Sequence, residues 1–159
     1  MAFSIRAASL EDADFVLSLF ARPHVRSQLH APTHQAFAQS LETPSLENLI
    51  VERDGARFGN LVLDKDPQWM LTVRSLAAWD PKRGAGRYAM EQAIARGFDA
   101  LQVHRIFLEV LASNVVARRL YERLGFRAEG FYRDGFRDEG GHYHNLVPYG
   151  MLADDRRVR

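Results

Sequence analysis

Alternating and periodic apolar positions predict the elements of the first third of the chain. Residues 3–7 alternate between apolar and polar side chains, as a half-buried strand does. Apolar residues recur at helical spacing over 13–20, and Ser9 with Asp12 gives this helix a start of the capping-box type. The segment 24–43 has a weaker periodicity and predicts an irregular helical region.

The middle of the chain predicts an antiparallel meander. Two apolar runs, 48–53 and 57–64, flank the pair Asp54-Gly55, which strongly favours a short β-hairpin turn. A mostly apolar run over 69–78 follows, and we expect it to add a further antiparallel strand to the same sheet.

After this strand the apolar pattern changes from the strand period to the helical period. Apolar or small side chains form one face of a helix, at Met90, Ala93, Ile94, Gly97, Phe98 and Leu101. The next run, 105–111, is rich in β-branched and other apolar residues. A strand, a helix and a second strand in this order predict a parallel βαβ unit with a right-handed crossover.

The remaining sequence predicts a second helix and a final pair of strands. Ser113-Asn114 can cap a helix that ends at Gly125, since glycine is typical of the position after a helix. Strands are predicted over roughly 126–136 and 143–152. Together the elements predict one domain over 1–159, of the α/β (α+β) class, with a mixed, mostly antiparallel sheet of about seven strands flanked by about four helices.

Composition and charge exclude several classes of function. The 159 residues contain 21 Lys and Arg and 20 Asp and Glu, a formal net charge of +1, which gives no support for nucleic-acid or membrane-surface binding. The chain has no cysteine, which excludes disulfides, thiolate metal sites and a cysteine nucleophile. The first residues lack the apolar core of a signal peptide, and no apolar run is long enough to span a membrane, so we expect a cytoplasmic protein.

The turn after the strand 69–78 is the clearest candidate for ligand binding. Gly84 and Gly86 allow a ligand to approach the backbone closely. The helix start beside them offers free N–H groups and the positive end of the helix dipole. This combination favours an anion, above all phosphate, although such a turn can also simply redirect the chain.

Known nucleotide-binding motifs fit this turn poorly. The P-loop string G-x-x-x-x-G-K-[ST] does not occur. The dinucleotide pattern G-x-G-x-x-G/A is matched by Gly84, Gly86 and Ala89, with Glu109 about 20 residues further on. A polar turn separates these glycines from the strand, and the chain shows one clear βαβ unit where that fold needs several. A nicotinamide cofactor is therefore disfavoured.

The segment 24–43 holds three histidines, His24, His30 and His34. Their closeness in sequence suggests a metal site, but neither a carboxylate nor a cysteine partner accompanies them in the pattern. Solvated surface histidines are the favoured interpretation, and we expect no metal.

Two motifs resemble the GNAT superfamily of N-acetyltransferases. The segment Arg83-Gly84-Ala85-Gly86 is similar to the family's pyrophosphate loop, Q/R-x-x-G-x-G/A. The family signature N-x-x-A-x-x-L-Y-x-x-x-G-F is matched by Asn114, Ala117, Leu120, Tyr121, Gly125 and Phe126. The resemblance covers essentially the whole chain, and 126–152 looks more specifically like the ribosomal-protein N-terminal acetyltransferases and related small-amine enzymes. Tyr88 departs from the pattern, because the family has Gly or Ala there. Either its side chain points away from bound phosphates, or the affinity for CoA is lowered.

The resemblance implies a GNAT fold and acetyl transfer from acetyl-CoA to a primary amine, either a protein N-terminus or a small molecule. Direct attack in a ternary complex is favoured, because the chain has no cysteine to form an acyl-cysteine intermediate. The strand carrying Leu76 to Ala78 would separate from its neighbour and pair with the pantetheine arm. Implied cofactor-binding residues are Leu76, Ala77, Ala78, Arg83, Gly84, Ala85, Gly86, Arg87, Tyr88, Asn114 and Tyr121. A homodimer is plausible by the same resemblance.

The resemblance makes Tyr121 the acid that protonates the leaving CoA thiolate. A tyrosine on the apolar stripe of a helix is also compatible with a core residue whose hydroxyl is bound by the backbone. Asn114 can cap its helix and contact the cofactor arm as well. Arg118 and Arg119 are expected on a solvated helix face.

Glu109 is unusual because it lies in a strand of otherwise apolar residues. It can face water in the cleft, where it is suited to be a general base, or it can pair with an arginine. Resemblance to the ribosomal-protein group favours the general base. A different class of function, a non-catalytic acyl-CoA-binding module with a regulatory role, stays open, as does the identity of the acceptor amine.

Overall fold

Eight strands form one sheet in the computed structural model, which describes residues 2–157. The three terminal residues of the domain predicted over 1–159 lie outside the described residues. The strands are β1 (Phe3–Ala7), β2 (Leu46–Arg53), β3 (Ala56–Asp64), β4 (Met70–Ala78), β5 (Arg105–Leu111), β6 (Arg127–Ala128), β7 (Tyr132–Arg137) and β8 (Tyr143–Leu152).

Six helices accompany the sheet in the part of the chain that the structure describes, and two of them are very short. They are α1 (Ala13–Phe20), α2 (Pro23–Arg26), α3 (His34–Glu42), α4 (Ala85–Ala95), α5 (Val115–Leu124) and α6 (Ala153–Arg157). A 3₁₀ turn precedes α1, and a π-helical turn over Arg96–Ala100 continues α4. Within residues 2–157, none of the helices is long and apolar enough to cross a membrane.

The strand order is β1-β2-β3-β4-β5-β8-β6, with β7 also paired to β8, and every pair except β4–β5 is antiparallel. This confirms the predicted mixed, mostly antiparallel sheet. The hairpin prediction is also confirmed, since Asp54 and Gly55 have positive φ angles of 51° and 81° between β2 and β3.

Side chains of the sheet alternate between two apolar layers. On β2, Ile50 packs with α1, α2 and α3, whereas Val51 packs in the layer formed with α4 and α5. Both residues are almost completely buried. The sheet is therefore covered on both faces.

The run predicted as one strand over 126–136 is divided into β6 and β7, which is a correction of the prediction. Its partner β8 contains Pro148, which accepts a hydrogen bond from the Glu129 N–H at 2.8 Å but has no N–H to return. The ladder is interrupted at this point, with β6 paired on one side of Pro148 and β7 on the other.

The parallel pair β4–β5 is short, and this positions the candidate site. The two strands pair only from Met70 to Thr72 with Arg105 to Phe107. Further along, β4 stays paired with β3 and β5 stays paired with β8, but β4 and β5 are no longer paired with each other. The predicted separation of the strand that carries Leu76 to Ala78 is confirmed.

Candidate active site

A cavity of about 330 Å³ lies where β4 and β5 separate. The two strands, α2, the start of α4 and α5 contribute its walls. It brings together seven of the residues predicted from the sequence: Leu76, Ala77, Ala78, Gly86, Glu109, Asn114 and Tyr121. The other predicted residues belong to the adjoining turn and helix start: Arg83, Gly84, Ala85, Arg87 and Tyr88.

The start of α4 has the free donors that an anion site needs. Gly84 precedes the helix with a φ of 86°, a left-handed conformation that favours glycine. The N–H groups of Ala85, Gly86 and Arg87 have no acceptor among the described residues. The N–H of Tyr88 is different, because it already donates to the Gly84 carbonyl at 3.1 Å. Tyr88, one of the cofactor-binding residues that the resemblance implies, therefore has no free N–H to offer.

The surroundings of Gly86 indicate whether the turn has room for a pyrophosphate. Its backbone is helical, and a Cβ added there would lie 3.7 Å from Leu120 Cδ2, an ordinary contact distance. The protein's own packing therefore does not require glycine at this position. A bare backbone beside free N–H groups at a cavity edge suits close approach of phosphate oxygens, so the residues present fit the diphosphate of acetyl-CoA.

The side chain of Tyr88 packs in the apolar core, away from the expected phosphate position. Its ring stacks on that of Phe3 in β1, with centroids 5.5 Å apart and planes inclined by 23°. Tyr88 does not line the cavity between β4 and β5. The bulky side chain is thus held by the apolar core and kept away from the anion site.

Three basic side chains surround the turn. Arg83 donates to Asp80 at 3.1 Å and Arg87 donates to Glu91 at 2.9 Å, and all four side chains are at least partly exposed. The N–H of Lys82, and then the guanidinium of Arg83, lower the pKa of Asp80. Lys82 lines the cavity and has no ion pair within residues 2–157, so its ammonium is the cation most available to a phosphate.

The end of β4 is tied to α2 by a hydrogen bond that the sequence did not reveal. Nε2 of His24 lies 2.7 Å from the carbonyl oxygen of Ala78, and since a carbonyl only accepts, Nε2 carries the proton. Ala77 is buried, whereas Leu76 and Ala78 are half-buried at the cavity. The Ala78 carbonyl already has a partner, which reduces the backbone groups that β4 offers to a ligand.

Asn114 lies at the start of α5, on the opposite wall of the cavity. Its Oδ1 accepts a hydrogen bond from the Ala117 N–H at 3.2 Å, which confirms the predicted helix cap. Its Nδ2 donates to Oε1 of Gln28, in the segment after α2. Gln28 itself lines the cavity. Through His24 and Gln28, one short segment therefore contacts both sides of the opening in the sheet.

Tyr121 is buried and lines the cavity from α5. Burial raises its pKa to about 12, so the hydroxyl is protonated at neutral pH. Among the described residues it has ring contacts with Phe126 and Tyr149 but no hydrogen-bond partner for its hydroxyl. This excludes the alternative of a core tyrosine bound by the described backbone.

Glu109 lines the opening and is exposed, which agrees with the first of the two predicted alternatives, a carboxylate that faces water in the cleft. The other alternative, an arginine partner, is not realised within residues 2–157. Arg74, which occupies the corresponding position on β4 two residues after the last pair, binds Asp64 at 3.0 Å instead. Glu109 is left as a free carboxylate at the cavity wall.

The three histidines have separate environments. His24 is half-buried at the cavity, so its interpretation as a surface histidine is wrong. The ring centroids of His30 and Phe136 lie 4.8 Å apart. Nε2 of His34 lies 3.7 Å from Oδ1 of Asp14 on the surface. No cluster of three or more His, Asp, Glu or Cys side chains suited to a metal occurs in the described part of the chain.

Sequence reasoning also missed Arg118, which it assigned to a solvated surface. Arg118 donates to the hydroxyl of the fully buried Tyr149 at 3.0 Å and to the Ala112 carbonyl at 3.0 Å. Tyr149 in turn donates to Glu122 at 2.8 Å. The spacing of Arg118 and Glu122 by one helical turn is a signal that they share a face, but their common partner comes from a distant strand.

Known proteins are similar to this chain in sequence family and in fold. Residues 13–126 match the family model described as the acetyltransferase (GNAT) family. Similar folds include a chimera of the spermidine N-acetyltransferase SpeG from Vibrio cholerae and hSSAT, with 20% identity, 100% coverage of both chains and a TM-score of 0.85.

Two further solved structures show the same fold. The ribosomal-protein-S18-alanine N-acetyltransferase from Escherichia coli has 20% identity and a TM-score of 0.80, over 96% of this chain and 94% of the other. The acetyltransferase yncA from Salmonella typhimurium, solved with its cofactor acetyl-CoA, has 15% identity and a TM-score of 0.77. The match covers 97% of this chain and 95% of the other. Because the family model covers most of the sequence and the sheet has the same architecture, this chain belongs to the GNAT acetyltransferase family.

Proposed function

We propose that this protein is an N-acetyltransferase that catalyses direct acetyl transfer from acetyl-CoA to a primary amine. One observation supports this most strongly. The separation of β4 from β5 creates a cavity lined by Glu109 and Tyr121, beside a helix start with free N–H groups. Among residues 2–157 the Glu109 carboxylate has no ion pair and the Tyr121 hydroxyl has no hydrogen-bond partner. These are the groups that deprotonation of an amine and departure of a thiolate require.

The start of α4 and the end of β4 hold the cosubstrate in this proposal. The free N–H groups of Ala85 to Arg87 bind the diphosphate, and Lys82, Arg83 and Arg87 neutralise its charge. The backbone of Leu76 to Ala78 binds the pantetheine arm, and Asn114 contacts it from α5. When bound, acetyl-CoA supplies an activated acetyl thioester.

Glu109 acts as the general base. An amine attacks only as the free base, and an ammonium must therefore lose a proton before the new C–N bond forms. The exposed carboxylate at the junction of the strands can take that proton directly or through water. The overall reaction converts an ammonium and a thioester into an amide, a thiol and one released proton.

Tyr121 assists the departure of the sulfur. Its hydroxyl is protonated and has no competing partner among residues 2–157, so it can donate to sulfur as the C–S bond breaks. A pKa of about 12 lies above that of an ordinary thiol, roughly 8.5, so complete transfer to a free thiolate is uphill. We therefore expect the hydroxyl to stabilise developing charge by hydrogen bonding and to pass on a proton that originates from the amine.

The rival function is a non-catalytic module that binds acyl-CoA and regulates a partner. Incubation with acetyl-CoA and a panel of primary amines separates the two, with release of free CoA and the mass of the acetylated product as readouts. The proposal predicts stoichiometric CoA release and product. Acetyl-CoA binding without release in the presence of any amine would favour the regulatory module. Homodimer formation and a cytoplasmic location stay predictions.

A further inference from the structure

A second cavity, of about 660 Å³, adjoins the first on the side of α1 and α3. The two cavities share six lining residues: Gln28, Leu29, Val73, Arg74, Ser75 and Glu109. An amine that reaches Glu109 from the side opposite the phosphate turn must therefore occupy this space. The inference below rests on the proposed function and concerns the class of acceptor.

Contacts between two separate segments close one wall of the second cavity. His30 lies between α2 and α3, and its ring packs against that of Phe136 in β7, with centroids 4.8 Å apart. Both residues line the cavity. Beside this contact, Arg26 of α2 pairs with Glu139 of the β7–β8 turn at 3.0 Å. An extended polypeptide leaving through this wall would have to break both contacts. A small molecule held inside the cavity leaves them intact.

The charges around the cavity suit a single ammonium. Asp64 is largely neutralised, because it accepts hydrogen bonds from Arg74 at 3.1 Å and from the Asp66 N–H at 3.0 Å. Glu109 is the lining carboxylate without an ion pair among the described residues. The Arg74–Asp64 pair lines the same wall without net charge, so a second ammonium meets no unpaired carboxylate among the described lining residues. A polycation would therefore bind less favourably than a monoamine.

The remaining walls suit an apolar body. Four phenylalanines line the cavity: Phe20, Phe37, Phe107 and Phe136. The buried amide groups are bound to one another and do not depend on a ligand, since Asn60 donates to Asn48 at 2.7 Å and Asn48 donates to Ser40 at 2.9 Å. A volume of this size is typical of a site for a small organic molecule.

We propose that the acceptor is a small primary monoamine with an apolar, arylalkyl-sized body, which occupies the cavity between α3, β4, β5 and Phe136, and that it is neither a polypeptide N-terminus nor a polyamine.

A competition assay tests this with three probes at equal concentration: phenethylamine, spermidine and a hexapeptide with a free N-terminal alanine. Limiting acetyl-CoA is added and each acetylated product is quantified by mass spectrometry. The phenethylamine product is expected to exceed each of the others by about tenfold or more. Predominant acetylation of the hexapeptide or of spermidine overturns the acceptor class and leaves the proposed function standing. Failure to acetylate any probe overturns the acceptor class, and it counts against the proposed function only if the wider amine panel is inactive as well.

Two variants connect the preference to this cavity. Val62→Trp fills the cavity from β3 and is expected to lower kcat/KM for phenethylamine about tenfold or more without changing acetyl-CoA affinity. The double variant Arg26→Ala/His30→Ala opens the wall and is expected to raise the share of hexapeptide product. Gln35→Ala, exposed on α3 and outside the lining, is the matched control. Unchanged phenethylamine kinetics in Val62→Trp, with acetyl-CoA affinity intact, would place the acceptor elsewhere.

Discussion

Tyr121 and Tyr149 pack edge to face in the core, with ring centroids 6.0 Å apart and planes inclined by 60°. The hydroxyl of Tyr149 is bound on both sides, by Arg118 at 3.0 Å and by Glu122 at 2.8 Å. Tyr121 lines the cavity, and its hydroxyl has no such partner among the described residues. Two neighbouring tyrosines thus provide one structural hydroxyl and one available for chemistry.

We predict that Tyr121→Phe lowers turnover by ~10²–10⁴-fold, the usual contribution of a general acid–base group. Acetyl-CoA affinity should change little, because the ring and its packing remain. The free energy of unfolding should change by no more than about 0.5 kcal/mol, since no hydrogen bond within residues 2–157 is lost. Steady-state kinetics, calorimetry and urea unfolding measure the three quantities.

Tyr149→Phe is the matched control, with the opposite expected result. It removes a buried hydroxyl that binds two charged side chains, so it should destabilise the fold by about 1–3 kcal/mol. Turnover of the folded fraction should stay close to that of the wild type. Equal loss of turnover in both variants would show that the tyrosine pair acts through packing and not through the Tyr121 hydroxyl.

Glu109→Gln is predicted to lower the rate and to remove the acidic limb of the pH–rate profile. Glutamine preserves the shape of the side chain but cannot take a proton from an ammonium. Because Glu109 is exposed and has no ion pair within residues 2–157, stability should change by less than about 0.5 kcal/mol. A variant that melts much earlier yet retains the acidic limb would assign Glu109 a structural role.

Gly86→Val is predicted to weaken acetyl-CoA binding by about tenfold or more, because the new side chain stands beside the free N–H groups of α4. An added Cβ meets Leu120 at 3.7 Å, an ordinary contact distance, and thermal unfolding checks that the valine variant is folded. Calorimetry gives the affinity, and Gln92→Ala on the same helix, away from this cavity, serves as control. Unchanged affinity in Gly86→Val would exclude this turn as the phosphate site.

The buried carboxylate of Asp12 predicts a pH-dependent stability. Hydrogen bonds from Arg6, then from the Ser9 N–H and from Arg57, hold its pKa well below the usual range in spite of burial. A pKa lowered by folding stabilises the native state above the unfolded value, roughly 4, and this stabilisation is lost as the pH falls towards the folded value.

Asp12→Asn should therefore be destabilised by about 3 kcal/mol at pH 7. The difference from wild type should shrink by about 1.4 kcal/mol for each pH unit below about 4. Urea unfolding of both proteins at pH 7, 4 and 3 measures this. A difference that is the same at pH 7 and pH 3 would contradict the charge-based origin of the stabilisation.

Local patterns in the sequence predicted most of the fold. The turn at Asp54-Gly55, the strand β5 and the helix that ends before Gly125 each have a short-range signal, and each occurs where it was expected. The division between β6 and β7 was missed because it depends on Pro148 in the partner strand. A single-strand pattern does not contain that information.

The site was predictable where a motif fixes the residue and was missed where the contact is distant. Tyr121, Asn114 and Gly86 belong to motifs, and the structure brings them to one cavity. His24 and Gln28 reach their partners across 54 and 86 residues, and nothing near them in sequence indicates those contacts. For Glu109 the sequence left two alternatives open, and the exposed one is realised because β4 and β5 separate beside it.

A crystal structure of the complex with CoA tests the central claim most directly, because the claim assigns the cosubstrate to one place in the fold. The account predicts the diphosphate on the N–H groups of Ala85 to Arg87, the pantetheine arm along the end of β4, and the sulfur within hydrogen-bond distance of the Tyr121 hydroxyl. CoA bound in the groove of about 420 Å³ between β1, β2 and α4, or a sulfur remote from Tyr121, would contradict it.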